Sequence, residues 1–123
     1  MNRRRFLVLT SLSVASVTLP LASCRSRNEL LQTPAYLLDL TDKSTVTGIG
    51  RKYLMDYPSE SAEDTLRKLV MEDINEDQSS SSLATSIIKK IQIDFLNERV
   101  VVVDGWVLSH TEARQAALYT FKS

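Results

Sequence analysis

Val100-Val101-Val102-Val103-Asp104-Gly105-Trp106-Val107-Leu108-Ser109 is the stretch that decides the fold. Four β-branched residues, an Asp-Gly pair suited to two successive left-handed backbone positions, and a second β-favouring run read as a hairpin with a two-residue turn. That turn pairs Val103 with Trp106 and Val101 with Leu108 on one face, and Val102 with Val107 on the other. Both faces are apolar, and an isolated two-stranded hairpin does not stand alone in water, so this one must pack on helices, on a partner, or on both. Before it, Leu83, Ala84, Ile87, Ile88, Ile91 and Phe95 recur at helical spacing over 83–96, with Ile93 and Leu96 outside that stripe. After it, Ser109 and Glu112 stand three apart as a capping box, opening a last helix with Ala113, Ala117 and Phe121 on one face, flanked by Ala116 and Leu118. The expected fold class is mainly α, a small helical domain with a β-hairpin near the C-terminus.

Towards the N-terminus, the run Ser79 to Ser82 reads as a linker whose last serine caps the 83–96 helix. Ser61 and Asp64 form a capping pair ahead of Leu66, Leu69, Val70 and Ile74, which predicts a helix ending near Asn75. Ile49, Tyr53 and Tyr57 at four-residue steps, joined by Leu54, predict a helix over 47–57 that Pro58 stops and that Gly48 and Gly50 weaken at its start. Pro34 fits the first turn of a short helix over 35–40. The expected division is a signal segment 1–23, a tether 24–33 and a helical domain 34–123.

The chain has 123 residues, and its 43% hydrophobic content is that of one small globular unit. Fifteen Lys and Arg balance fifteen Asp and Glu, so no basic field invites nucleic acid. One Cys and one His exclude an internal disulfide and make a zinc or iron-sulfur site from this chain alone a poor expectation. Asp73-Ile74-Asn75-Glu76-Asp77 begins like a calcium loop, but Gln78 and Ala84 replace its Gly and its bidentate Glu. Gly48-Ile49-Gly50-Arg51-Lys52 has Tyr53 where a dinucleotide motif needs its third Gly, and reads as a helix start. His110 is a conceivable general base, yet its neighbours in sequence offer it no companion, and a half-exposed surface histidine is the plainer reading. No catalytic residue, metal ligand or cofactor-binding residue is therefore expected.

The other informative stretch is the beginning. Arg3-Arg4-Arg5 precedes an apolar stretch from Phe6 to Leu19 that is too short to span a bilayer and is followed by Pro20. Leu21-Ala22-Ser23-Cys24 resembles a bacterial lipobox, with Cys24 as the lipidated residue, and Arg3, Arg4, Phe6 and Leu7 resemble the core of a twin-arginine export signal. Removal of 1–23 leaves 12 basic against 15 acidic groups, a mildly acidic domain, with Arg25 and Arg27 beside the lipid where anionic head groups lie. These features predict a bacterial periplasmic lipoprotein held at the membrane through Cys24.

Together with that signal, the helix containing Gly48 to Leu54, the apolar helix leading into the valine run, and Thr111-Glu112-Ala113 resemble the small subunit of membrane-associated flavin-dependent gluconate, glucose and sorbitol dehydrogenases. The likeness in particular residues is concentrated between Phe95 and Leu118. The chain departs from that family in its lipobox, its Asp104-Gly105 turn and its end at Ser123. The resemblance implies a non-catalytic accessory subunit without a cofactor of its own, which escorts a larger flavoprotein carrying FAD. Folded export and surplus apolar surface point the same way, with Trp106, Val103, Leu108, Ile93 and Leu96 as the expected partner contacts. The alternative is a stand-alone envelope lipoprotein that packs all its apolar surface internally; a small hydrolase using His110 is a more distant third.

Overall fold

The structure, a computed structural model, describes residues 27–122. In chain order these form α1 (Arg27–Gln32), α2 (Ala35–Leu40), α3 (Lys43–Asp56), a 3-10 turn (Pro58–Glu60), α4 (Glu63–Met71), α5 (Ser80–Leu96), β1 (Val100–Val103), β2 (Trp106–Ser109) and α6 (His110–Lys122). The protein is mainly helical with one antiparallel hairpin ahead of its last helix. No helix among the described residues is long and apolar enough to cross a membrane.

The hairpin has the register its sequence dictates: Val103 faces Trp106, Val102 faces Val107, and Val101 faces Leu108. Asp104 and Gly105 take φ of 50° and 84°, the two positive values that let a two-residue turn follow the twist of its strands. Val101, Val103 and Leu108 point into the core, while Val102 on the opposite face is exposed. The hairpin thus packs on this chain's own helices, β2 against α5 and α6 and β1 against α3 and α6.

α6 is the centre of the domain, packed by α1, α3, α4, α5 and both strands. From Thr111 to Tyr119 every residue but Arg114 is buried. Its alanines explain how one helix accepts so many neighbours, because Ala113, Ala116 and Ala117 hold no bulk that would push them away. The closest approach is to α3, where a Cβ on Gly50 would collide with the Ala116 carbonyl and come within 2.7 Å of Thr120 Cγ2. Gly48, two residues earlier, meets nothing within 4 Å, so only Gly50 is required to lack a side chain. Around this crossing lie Leu37, Val46, Ile49, Tyr53, Leu66, Val70, Leu83, Leu108 and Leu118.

Several boundaries differ from the sequence reading, each for a local reason. α3 begins at Lys43 because Asp42 caps it, its carboxylate accepting the Thr45 N–H at 2.8 Å. α4 begins at Glu63 with no side-chain cap, since Ser61 closes the preceding 3-10 turn by donating its N–H to the Pro58 carbonyl. It stops at Met71, where the Lys90 ammonium donates to the carbonyls of Leu69, Val70 and Glu72 at 2.7 to 2.8 Å and Asp73 turns left-handed at φ 66°. α5 starts three residues early because Ser79, not Ser82, is the cap, so most of the serine run is helix and not linker. A tether over 24–33 is also too long: α1 occupies most of it and buries Leu30 and Leu31 in the core.

Candidate functional site

The sole histidine sits where three elements meet. Tyr53 stands in the last turn of α3 and Tyr57, one turn on, is its C-cap, and Pro58 stops the helix and tightens the chain into the 3-10 turn that brings Glu60 back toward α6. α6 begins at His110 and carries Arg114 one turn later on the same face. Arg114 holds Glu60 with two parallel bonds, Nε to Oε1 at 3.0 Å and Nη2 to Oε2 at 3.2 Å. The Tyr53 hydroxyl donates to Glu60 Oε1 at 2.7 Å and lies 3.5 Å from His110 Nδ1. With its proton committed to Glu60, the Tyr53 oxygen is free to accept, so the tautomer that suits this long contact carries the proton on Nδ1 and leaves Nε2 as the basic atom. Tyr57 stacks on Tyr53 with centroids 4.6 Å apart, and the imidazole meets Tyr57 edge-on at 5.8 Å.

These contacts set the ionisation of the group. Burial raises the Tyr53 phenol far above its ordinary range, with the bond to Glu60 acting in the same direction. Burial also acts upward on Glu60, but its bonds from Arg114 and Tyr53 outweigh it and hold the carboxyl below the usual range. Arg114 is the mirror case, depressed by burial yet raised overall by Glu60. Burial, then the Arg114 charge, holds His110 below the ordinary imidazole value. Both Glu60 oxygens and the Tyr53 proton are taken up inside the cluster, so its chemistry is that of a closed polar knot tying the 3-10 turn to the centre of the domain.

A second cluster anchors the same end of α6. Asp94 on α5 is buried and accepts the Thr111 N–H at 3.0 Å and hydroxyl at 2.7 Å, with Arg99 Nε on its other oxygen at 3.2 Å. A carboxylate here meets first-turn N–H groups that have no partner within the helix, at the positive end of its dipole. The capping box lies alongside: Glu112 N–H donates to Ser109 Oγ at 2.9 Å, and Ser109 N–H to Glu112 Oε1 at 3.2 Å. Deeper in, Tyr36 on α2 buries its hydroxyl without a hydrogen-bond partner, and burial followed by the Glu112 and Asp39 charges pushes its phenol upward.

The residues expected to contact a partner divide. Val103 and Leu108 lie in the core, which corrects their assignment: in this fold a docked protein would not reach them, because the hairpin face they share is covered by the helices. Trp106 is half-buried against the same core. Ile93 and Leu96, one turn apart at the end of α5, are 37% and 82% exposed and remain open to contact. Cys24, Arg3, Arg4, Phe6, Leu7, Leu21, Ala22 and Ser23 lie outside the described residues. Gly48 and Gly50 fall inside α3 and form no loop. Asp73 to Asp77 form the turn after α4, and no group of three or more His, Cys, Asp or Glu side chains among the described residues is arranged to hold a metal ion.

His110, expected to lack a companion, touches Tyr53 and Tyr57 and lies within electrostatic reach of Glu60 and Arg114. The pairs Tyr53/Tyr57 and His110/Arg114 are visible as four-residue spacings, but nothing in the sequence places one pair on the other, and Glu60 looks like any exposed acid after a proline. Comparison with protein-family models, with curated proteins and with solved structures gives no match to the chain.

Proposed function

We propose that the protein is an exported, lipid-anchored accessory subunit that accompanies a larger cofactor-bearing oxidoreductase of the flavin-dependent dehydrogenase type in the bacterial periplasm. The observation that carries this reading is the N-terminal sequence, a twin-arginine-like Arg3-Arg4-Arg5-Phe6-Leu7 followed by Leu21-Ala22-Ser23-Cys24. Export of a folded protein is most useful to one that carries a cofactor or travels with a partner that does, and the small-subunit resemblance supplies such a partner, with FAD held by the larger chain. The exposed Leu96 and Ile93 support the reading, since covering an aliphatic side chain of this size stabilises a complex by about 1.5 to 3 kcal/mol. In this reading the protein has no catalytic role.

The second reading, a stand-alone envelope lipoprotein, is favoured by the burial of Val103 and Leu108 and the packing of Trp106, which leave a smaller apolar surface than the sequence suggests. Purification of the native chain from detergent-extracted membranes separates the two. The accessory reading expects flavin absorbance to co-purify in near-stoichiometric amount and to be lost with Leu96→Glu. Absence of flavin at full yield of the chain selects the stand-alone lipoprotein. In both readings Cys24→Ala moves the chain from the detergent phase to the aqueous phase or leaves it unprocessed, and an unchanged partition refutes the lipid anchor itself.

A further inference from the structure

The charges around His110 balance only while its ring is neutral. The charges of Arg114 on α6 and, more weakly, Arg99 ahead of β1 oppose a positive ring, and the carboxylates that offset them are already engaged, Glu60 of the 3-10 turn with Arg114 and Asp94 of α5 with Arg99. The remaining neighbours, Tyr53 on α3 and Tyr57 at its C-cap, are uncharged, and the Tyr53 proton is given to Glu60. Glu112 on the same helix directs an oxygen to the Ser109 N–H, and the Lys90 ammonium of α5 is held at the carbonyls ending α4. The ring also stands at the first residue of a 13-residue helix, where the backbone dipole opposes a positive charge. An imidazolium would add a positive charge with no carboxylate of its own to a half-buried site whose nearest ring contacts are two uncharged tyrosines.

We propose that His110 is an acid-sensitive latch: protonation at Nε2 drives the ring out toward solvent and loosens the end of α3 and the Pro58–Glu60 turn from the start of α6. The ring's edge contacts with Tyr57 and Tyr53 are what it gives up by moving, so the segment freed is the one those tyrosines and Glu60 hold. The rest of the α3 and α6 contact, at Gly50 and Ala116, is apolar and unaffected by charge, which confines the opening to one end of the domain. The proposal does not depend on the accessory-subunit reading.

Because His110 is the only histidine, its Cε1–H gives one NMR line whose titration can be followed in the full chain. The latch expects a midpoint below about 6.5. It also expects the amide signals of Tyr57, Glu60, Ser61 and Arg114 to move with that midpoint. Amide exchange over 57–61, corrected for the intrinsic pH dependence, should be about tenfold faster near pH 5 than near pH 7.5. His110→Asn keeps a donor toward Tyr53 but cannot be charged, and should make those amides insensitive to pH over the same interval. A midpoint at or above the ordinary value, amides that ignore the titration, or an unchanged pH response in His110→Asn would each overturn the latch. If that variant fails to fold, the wild-type exchange data decide alone.

Discussion

α6 and the C-terminal end of α5 invert the usual relation between side-chain type and burial. Thr111, Glu112 and Gln115 are polar and at most 2% exposed, whereas Leu96 is aliphatic and 82% exposed. The difference is one of partners. Thr111 has Asp94, Glu112 has the Ser109 N–H, and the Gln115 amide donates to the Leu30 carbonyl at 3.0 Å, so these groups recover in the interior what they lose in water. At Leu96 the helix has passed the edge of its neighbours, and the chain turns away at Asn97 toward the hairpin. Burial here follows the supply of hydrogen-bond partners and the arrangement of neighbouring helices as much as it follows side-chain type.

The contrast breaks most severely at Asp94. Asp94→Ala leaves the buried Thr111 N–H and hydroxyl unsatisfied and should lower stability by about 3 kcal/mol in urea unfolding. A loss under about 1 kcal/mol would mean that α6 does not depend on its buried polar partners. Gly50→Ala tests the same helix by volume: the added methyl meets the Ala116 backbone, which can move only with α6, and the expected cost is about 1 to 3 kcal/mol. Gly48→Ala, open on that side, should be neutral or slightly stabilising because alanine is the better helix former.

Acid probes the first turn of α6 through two groups whose folded values are depressed, so stability should fall as pH falls. For His110 the contribution is complete above the unfolded imidazole value of about 6.5 and is lost as pH drops through the lower folded value. For Glu60 the loss starts only below the unfolded carboxyl value of about 4.3. Two-step acid destabilisation in thermal melts, with His110→Asn removing the upper step, is the expected pattern; a single carboxylate step would leave His110 uncoupled from folding. At the exposed end of the comparison, Leu96→Asn should change stability by no more than about 0.5 kcal/mol.

The hairpin, its register, the capping box at Ser109 and Glu112, and the exposure of Ile93 and Leu96 were all legible in the sequence, because each is governed by residues within a few positions of one another. Gly50 was visible as a glycine, but its contact with Ala116 joins residues far apart in the chain, and no local pattern records it. The same holds for the Tyr53, Glu60, His110 and Arg114 knot, which depends on how Pro58 turns the chain back toward α6. Val103 and Leu108 show the limit from the other side: their shared face was legible, but not whether this chain or another would cover it. α1 was missed because Arg27 to Gln32 is short and its two leucines lack a repeating pattern, and only α6 and its neighbours supply the surface that orders it.

The central claim, that a polar-sequence helix is the most deeply held element, is tested most directly by native-state amide hydrogen exchange on the full chain. Amides of residues 114–119 in α6 should exchange only through global unfolding, with protection equal to the stability found in urea, while residues 97–99 just past the exposed end of α5 exchange orders of magnitude faster. Exchange of the α6 amides through local opening, at rates comparable to those of residues 97–99, would contradict the account.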